Sequence, residues 1–476
     1  MSYTFIIFGG NGDLTYRKLL PALYNLFHEK IITTDFSIIA VGRRDYTNER
    51  YHADALQALH KFSRFPVHPD LWDKLKEKIS YFTLDFNNPD GYKDLDQHIK
   101  KINQFKETKR IYYLAVAPKY FEIISNNLYV NKMHHDNDHW PKVVIEKPFG
   151  RDLQSARYLN EKIVHAFKEE NTYRIDHYLG KEMIQNIMVI RFANTVFEPI
   201  WNNQYIEQVQ ITSSETLGIG TRGEYYEKSG AIRDMAQSHL LQLLSLIAME
   251  KPKTLKSEDI KNEKVKVLKA LKKFDENNIA SSVALGQYEG YTNEDKVKKE
   301  SRMETFVAFK AYIENKRWQG VPFYIRTGKK MPIKTTEIII EFKKQDQDLY
   351  ANHEGPNYLV IKIQPREGIF FQFNIKKPGA IQQIIPVKMD FCQNCQIGIN
   401  SPEAYERLLY DIMREDLTLF ARWDEVENSW LFIDDIINYR RNYKQKFPNY
   451  KEGEWGPKEA DEIIKNDNHE WLYIEE

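Results

Sequence analysis

"YTFIIFGGNGDLTYRKLLPALYNLF", residues 3–27, places a short apolar run, a glycine-rich turn and an amphipathic stretch in that order. Leu19, Leu20, Leu23, Leu26 and Phe27 recur at helical spacing on one face. The turn holds Gly9, Gly10 and Gly12, with Thr15 where the third small residue of a G-x-x-G-x-x-G repeat would stand. Glycines let the backbone come close to a pyrophosphate, and the helix N-terminus beyond them supplies N–H donors and a positive end. A glycine pattern alone is weak evidence. Its place after the first strand and before a helix is the context that makes it a dinucleotide-binding turn.

Outward from that turn the alternation continues. "FSIIAVGRRDY" (36–46), "ISYFTLDF" (79–86), "RIYYLAVAP" (110–118) and "KVVIEKPFG" (142–150) read as strands, with helical "ADALQALHKF" (53–62) and "YKDLDQHIKKI" (92–102) among them. Strands alternating with helices predict a parallel, doubly wound Rossmann-like sheet, assigned to residues 1–172. The second strand ends in Arg43 and Arg44, where an NAD-specific site usually has an acid on the ribose. Two guanidinium groups there suit the 2′-phosphate of NADP. Asp45 follows at once and leaves use of NAD open.

The second half has another rhythm. "VQITSSETLG" (209–218), "TTEIIIEFKK" (335–344), "NYLVIKIQP" (357–365) and "IFFQFNIKKPG" (369–379) are β-branched or alternating runs bounded by turn residues. They predict a larger α+β domain over 173–476 built on a mostly antiparallel sheet. "GAIRDMAQSHLLQLLSLIAM" (230–249) and "SPEAYERLLYDIMREDLTLF" (401–420) read as helices covering one face of that sheet.

A chain of 476 residues is long enough for two domains. Lys+Arg and Asp+Glu are both 68, so the net charge is zero, which argues against a general nucleic-acid or anionic-membrane binder. Phosphate recognition must then be local. The N-terminus shows neither the basic region nor the cleavage site of a signal peptide, and no apolar run reaches the roughly 18 residues of a membrane span. A cytoplasmic, reduced protein is expected. The two cysteines, Cys392 and Cys395, are too few for a disulfide framework and read as structural thiols. "HHDNDHW" (134–140) has the residue types of a metal site but lies in a polar loop, and the lysines of 251–273 alternate with acids as a solvated face does. No metal is expected.

"YRIDHYLGKE" (173–182) crowds an arginine, an aspartate, a histidine, a tyrosine, a lysine and a glutamate into ten positions with no apolar period. Such a stretch is either a solvated turn or the lining of a site. His239 sits in an otherwise apolar helix, where a histidine is more often a core residue than a base. Asp234 precedes it by five residues, not quite on the same α-helical face. Asp176 is the carboxylate on offer from elsewhere, and a carboxylate that orients one imidazole nitrogen leaves the other as a base near neutral pH. His177 and His239 compete for that role, and spacing does not decide between them. Tyr178 and Lys181 supply donors suited to a phosphate.

Here the residues carry a resemblance. "RIDHYLGKE", "GGNGDL", "EKPFG", "IRDMAQSHLLQ", "NEKVKVLK", "NKRWQGVPFYIRTGK" and "PEAYERLLYDIM" resemble the glucose 6-phosphate 1-dehydrogenase family, in its bacterial form, from about residue 5 to beyond 430. The resemblance implies an NADP-dependent enzyme, with NAD open as a second cofactor, that oxidises β-D-glucose 6-phosphate to the 1,5-lactone. It implies His239 as base and Asp176 as its orienting carboxylate. It implies His177, Tyr178 and Lys181 on the 6-phosphate. Lys147 lies near the reacting ends of sugar and cofactor, with the Lys147–Pro148 bond cis. Glu215 and Asp234 meet sugar hydroxyls, Lys329 and Lys334 close the sugar pocket, and Gln364 adds a further contact. Gly9, Gly10, Gly12, Asp13 and Leu14 match the cofactor turn, Lys18 beyond it a second cofactor-side lysine near the reacting ends, Arg43 the 2′-phosphate arginine and Arg44 its neighbour. The family also implies a homodimer. Thr15-Tyr16 departs from the Ala-Lys often found after "GDL", and the animal enzymes' second, structural NADP site is not clearly matched.

Two alternatives stand beside this. One is another sugar oxidoreductase with an EKP turn. The other is a catalytically silent NADP-binding sensor, which has no need of Asp176 together with His239.

Overall fold

Every residue of β1 (Tyr3–Phe8) from Thr4 onward is buried, and the strand leads straight into the glycine turn. The computed structural model describes residues 2–32, 36–104, 106–134, 140–344, 355–379, 383–392, 402–443 and 445–473. They form two compact units. The first comprises 1–180 with 256–258 and 400–427; the second comprises 181–255, 259–399 and 428–476.

In the first unit β1 pairs in parallel with β2 (Phe36–Gly42) on one side and β4 (Lys109–Leu114) on the other. β3 (Ile79–Thr83) extends the sheet beyond β2, while β5 (Lys142–Ile145) and β6 (Thr172–Ile175) extend it beyond β4. A two-residue strand, Phe420–Ala421, closes the β6 edge antiparallel. The order 3-2-1-4-5-6 is the doubly wound arrangement expected from the alternation. β2 is buried at all seven positions, as a strand covered on both faces must be.

The segment 401–420 was expected to cover the second sheet. Its helix, Ala404–Met413, instead belongs to the first unit. Leu408, Leu409, Ile412 and Met413 join Leu19, Leu20 and Leu23 in one core. The buried Glu406 accepts hydrogen bonds from Asn25 at 3.0 Å and from Arg64 at 2.6 Å, polar ties that the apolar period does not show.

The second unit carries an eight-stranded sheet. Its strands are β7 (Ile206–Ser214), β8 (Val283–Gly286), β9 (Phe306–Ala311), β10 (Phe323–Gly328), β11 (Thr335–Phe342), β12 (Tyr358–Gln364), β13 (Gly368–Lys376) and β14 (Ile384–Cys392). All pairings are antiparallel except β7 with β10. Both faces are covered near β10, which corrects the one-face expectation. Tyr324 and Arg326 meet Trp471 of the C-terminal segment, and the alternate residues Phe323 and Ile325 are fully buried as well. Cys392 is disulfide-bonded, not the thiol expected. Cys395 and the centre of the His-rich loop, 135–139, lie outside the described residues. Among the described residues no helix is long and apolar enough to cross a membrane.

Candidate active site

The glycine turn is built for close approach. Gly9 has φ 88°, and a Cβ there would stand 2.2 Å from the Ala115 carbonyl oxygen. A Cβ on Gly10 would meet Ala40 at 2.6 Å. Both positions therefore exclude any side chain, and the backbone stays bare toward the helix start, as a dinucleotide cradle requires. Thr15 turns out to support the turn: it is fully buried and its hydroxyl donates to the Gly9 carbonyl at 3.0 Å. Asp13 and Leu14 open the helical run, which continues through Thr15–Leu19. Lys18 is ion-paired with Glu403 at 2.8 Å, with both side chains about half exposed.

At the end of β2, Arg43 and Arg44 are exposed. Arg43 is held: its Nη1 donates to the Tyr120 hydroxyl at 2.8 Å, and its guanidinium lies 5.2 Å from that ring's centre. The Arg44 carbonyl accepts the Tyr81 hydroxyl at 2.9 Å. Tyr120 is 77 residues from Arg43, and nothing local in the sequence pointed to it.

The Lys147–Pro148 peptide is cis, as the resemblance implied. Beside it, Glu146 accepts hydrogen bonds from Tyr113 at 2.6 Å and Tyr405 at 3.1 Å. Loss of hydration pushes the Glu146 carboxyl up to about 7, against the two tyrosines and Lys147, which lower it. Its folded value exceeds the ordinary 4.5, so the native state keeps a proton that the unfolded chain has already lost. The stability from this proton is present at acid pH and is lost as pH rises through about 7. Glu146→Gln is therefore expected to flatten the fall in melting temperature between about pH 5 and 8, by the equivalent of ~1–2 kcal/mol after allowance for partial exposure. Parallel melting curves for parent and variant across that range would show that the carboxyl titrates normally.

β6 delivers Asp176, 1 % exposed, whose Oδ1 accepts the Tyr178 N–H at 3.0 Å. His177 is half-buried, and its ring meets Tyr178 edge to face at 5.2 Å. The opening of the polar stretch is therefore a buried carboxylate turn.

In the second unit, Lys181 stands at the N-cap of the 12-residue helix Glu182–Ala193 and donates to the Gln364 side-chain oxygen. Lys181 and Gln364, 183 residues apart, are brought together as two substrate candidates. Lys329, 3 % exposed, is ion-paired with Glu215 at 2.6 Å. Asp234 accepts the Tyr225 hydroxyl at 3.0 Å. Burial, reinforced by Asp234, pushes that phenol well above its usual range. Lys334, at the start of β11, is exposed.

His239 is buried, 2 % exposed, and its local backbone alters the spacing argument. Ile232–Leu240 is π-helical: the Leu241 N–H reaches the Ala236 carbonyl five residues back. At the ordinary 3.6-residue pitch, positions five apart diverge by about 140°. The wider turn brings Asp234 and His239 round toward one side, which the sequence did not reveal. Such turns are frequent at functional sites.

A glycine turn on a parallel sheet, joined to a histidine-bearing helix on a mostly antiparallel one, defines a two-domain oxidoreductase that works with a dinucleotide. Residues 6–186 match the family described as "Glucose-6-phosphate dehydrogenase, NAD binding domain", and 188–472 match "Glucose-6-phosphate dehydrogenase, C-terminal domain". The glucose-6-phosphate 1-dehydrogenase of Bacillus subtilis (strain 168) is 44 % identical over 487 residues, covering 98 % of each chain. That of Chlamydia pneumoniae is 43 % identical over 98 % of this chain and 95 % of its own. A solved glucose-6-phosphate dehydrogenase in complex with glucose-6-phosphate superposes with a TM-score of 0.89 at 32 % identity, covering 99 % of this chain and 98 % of the other. The chain belongs to the glucose-6-phosphate dehydrogenase family.

Proposed function

We propose that this protein oxidises β-D-glucose 6-phosphate at C1 with transfer of hydride to NADP, yielding 6-phospho-D-glucono-1,5-lactone and reduced cofactor. The reaction is the first oxidative step of the pentose phosphate route. The observation that carries the reading is the family match across both domains, which includes a relative solved with this substrate. The first unit holds the cofactor. The second binds the sugar and forms a homodimer, and the enzyme is cytoplasmic.

The bare backbone at Gly9, Gly10 and Gly12 fits a pyrophosphate, and Arg43 fits a 2′-phosphate, so the chain has the parts to hold NADP. Bound NADP supplies the hydride acceptor. The chain supplies everything else. His177, Tyr178 and Lys181 hold the phosphate dianion, Lys181 from the positive end of its helix. Glu215, Asp234 and Gln364 accept or share hydrogen bonds with sugar hydroxyls. Lys147 and Lys18 lie near the reacting end, and Lys329 and Lys334 close the sugar pocket. His239 takes the O1 proton as the C1 hydride departs with its electron pair, so O1 never carries a full negative charge. Asp176 holds the imidazole in the basic tautomer and stabilises the imidazolium that forms.

Initial rates of cofactor reduction with glucose 6-phosphate, other hexose phosphates and free hexoses test this directly. Glucose 6-phosphate is expected to be the best substrate, and a higher kcat/KM for another sugar would overturn the reading. Arg43→Ala tests the cofactor. A charge-assisted pair is worth about 1.5–3 kcal/mol, so the NADP Michaelis constant is expected to rise roughly ten- to a hundredfold with little change for NAD. Equal weakening of both cofactors would shift 2′-phosphate recognition to Arg44 or to the backbone.

A further inference from the structure

Glu304 is 0 % exposed, just before β9, and no step of the chemistry above uses it. Gly230, with φ 63° and ψ 180°, breaks the helical path, which restarts at Ala231 and runs through the π-helical stretch into the helix Leu241–Ala248. The first amides of a helix find no partner within it. Here one distant residue takes two of them. The Glu304 backbone oxygen accepts the Ala231 N–H at 3.1 Å, and its Oε1 accepts the Ile232 N–H at 3.3 Å. Its Oε2 is ion-paired with Arg440. Arg440 also donates to the Arg302 carbonyl at 3.3 Å, fixing the segment that carries Glu304. A carboxylate at this end complements the helix dipole, and its buried charge is matched by a partner. The fit is close: a Cβ on Gly230 would stand 2.1 Å from Glu304 Oε1.

We propose that Glu304 is a positioning residue for the hydride-transfer reaction. By clamping the start of the stretch that carries Asp234 and His239, it sets the rotation and height at which both side chains are presented. This rests on the reading of His239 as the base. A π-helical turn is uncommon, so its phase along the chain depends on external anchors such as this one.

The test is steady-state kinetics on Glu304→Ala, Glu304→Gln, Arg440→Met and His239→Asn, with Glu304→Ala and Arg440→Met each also combined with His239→Asn. All are assayed well below their melting temperatures. Glu304→Ala is expected to lower kcat about 10- to 100-fold, the scale of a misplacement near 1 Å. Both Michaelis constants are expected to stay within about threefold of the parent. Glu304→Gln keeps the acceptor for the Ile232 N–H and is expected to recover most of the loss. On the His239→Asn background, Glu304→Ala is expected to cost less than about twofold more, because a base that is absent cannot be mispositioned. If Glu304→Ala does not fold, Arg440→Met takes its place in the same cycle, with a smaller fall in kcat expected. Near-parental activity of His239→Asn overturns the assignment of the base. An inactive His239→Asn, beside a Glu304→Ala loss that is under twofold or undiminished in the double variant, overturns the positioning role alone.

Discussion

His239→Asn is expected to lower turnover of glucose 6-phosphate by about two to four decades while leaving the substrate's Michaelis constant within a few-fold. Asparagine keeps a polar side chain of similar reach at this buried site but cannot accept the O1 proton. Without a base, hydride must leave C1 while O1 is still protonated, and the transition state resembles a protonated lactone. The loss therefore falls on kcat and not on binding. Stopped-flow rates and a binding isotherm for the variant separate the two. A variant within tenfold of the parent would return His239 to the ordinary role of a core histidine and leave His177 as the base.

That choice shows where sequence reasoning ended. The period-2 and period-3.6 patterns and the glycine turn are local signals, and they predicted the first five strands of the first unit but not β6, which opens the polar stretch, nor the short strand Phe420–Ala421. Thr15 looked like a blemish in the glycine pattern and proved to tie the turn together through the Gly9 carbonyl. A π-helical turn leaves no mark in apolar periodicity, so the five-residue spacing of Asp234 and His239 was misjudged on α-helical geometry. The helix Ala404–Met413 is amphipathic whichever sheet it covers. Its true place rests on partners such as Asn25 and Arg64, more than 300 residues away. The pairs Glu215–Lys329, Lys181–Gln364 and Glu146–Tyr405 are likewise long-range. Residue type alone named only Lys181, the family resemblance supplied Glu215, Lys329 and Gln364, and only the fold paired them. Glu304 had no sequence signal at all, because its role depends on two amides more than 70 residues earlier.

Lys181→Ala and Asp176→Asn are expected to fail in opposite ways, and together they test whether "YRIDHYLGKE" is the wall of a site. Lys181 brings a positive charge to the start of a helix, and Gln364 holds it there. Removing it strips a charged donor from the phosphate dianion, so the Michaelis constant for glucose 6-phosphate should rise by roughly one to two decades, at about 1.5–3 kcal/mol. Free glucose has no phosphate and should be nearly indifferent. Asp176→Asn keeps an oxygen for the Tyr178 N–H, so the turn itself should survive. It removes the charge that stabilises the imidazolium, and this matters equally for both sugars. Turnover of glucose and glucose 6-phosphate should therefore drop by the same factor, about two decades or more, within the range of a general base. The measurement is a two-by-two set of kinetics, two variants against two sugars. If Lys181→Ala slows both sugars equally, the lysine does not grip the phosphate and the stretch is a structural hinge. If Asp176→Asn harms only the phosphorylated sugar, the aspartate serves the phosphate site and the base is oriented by another carboxylate.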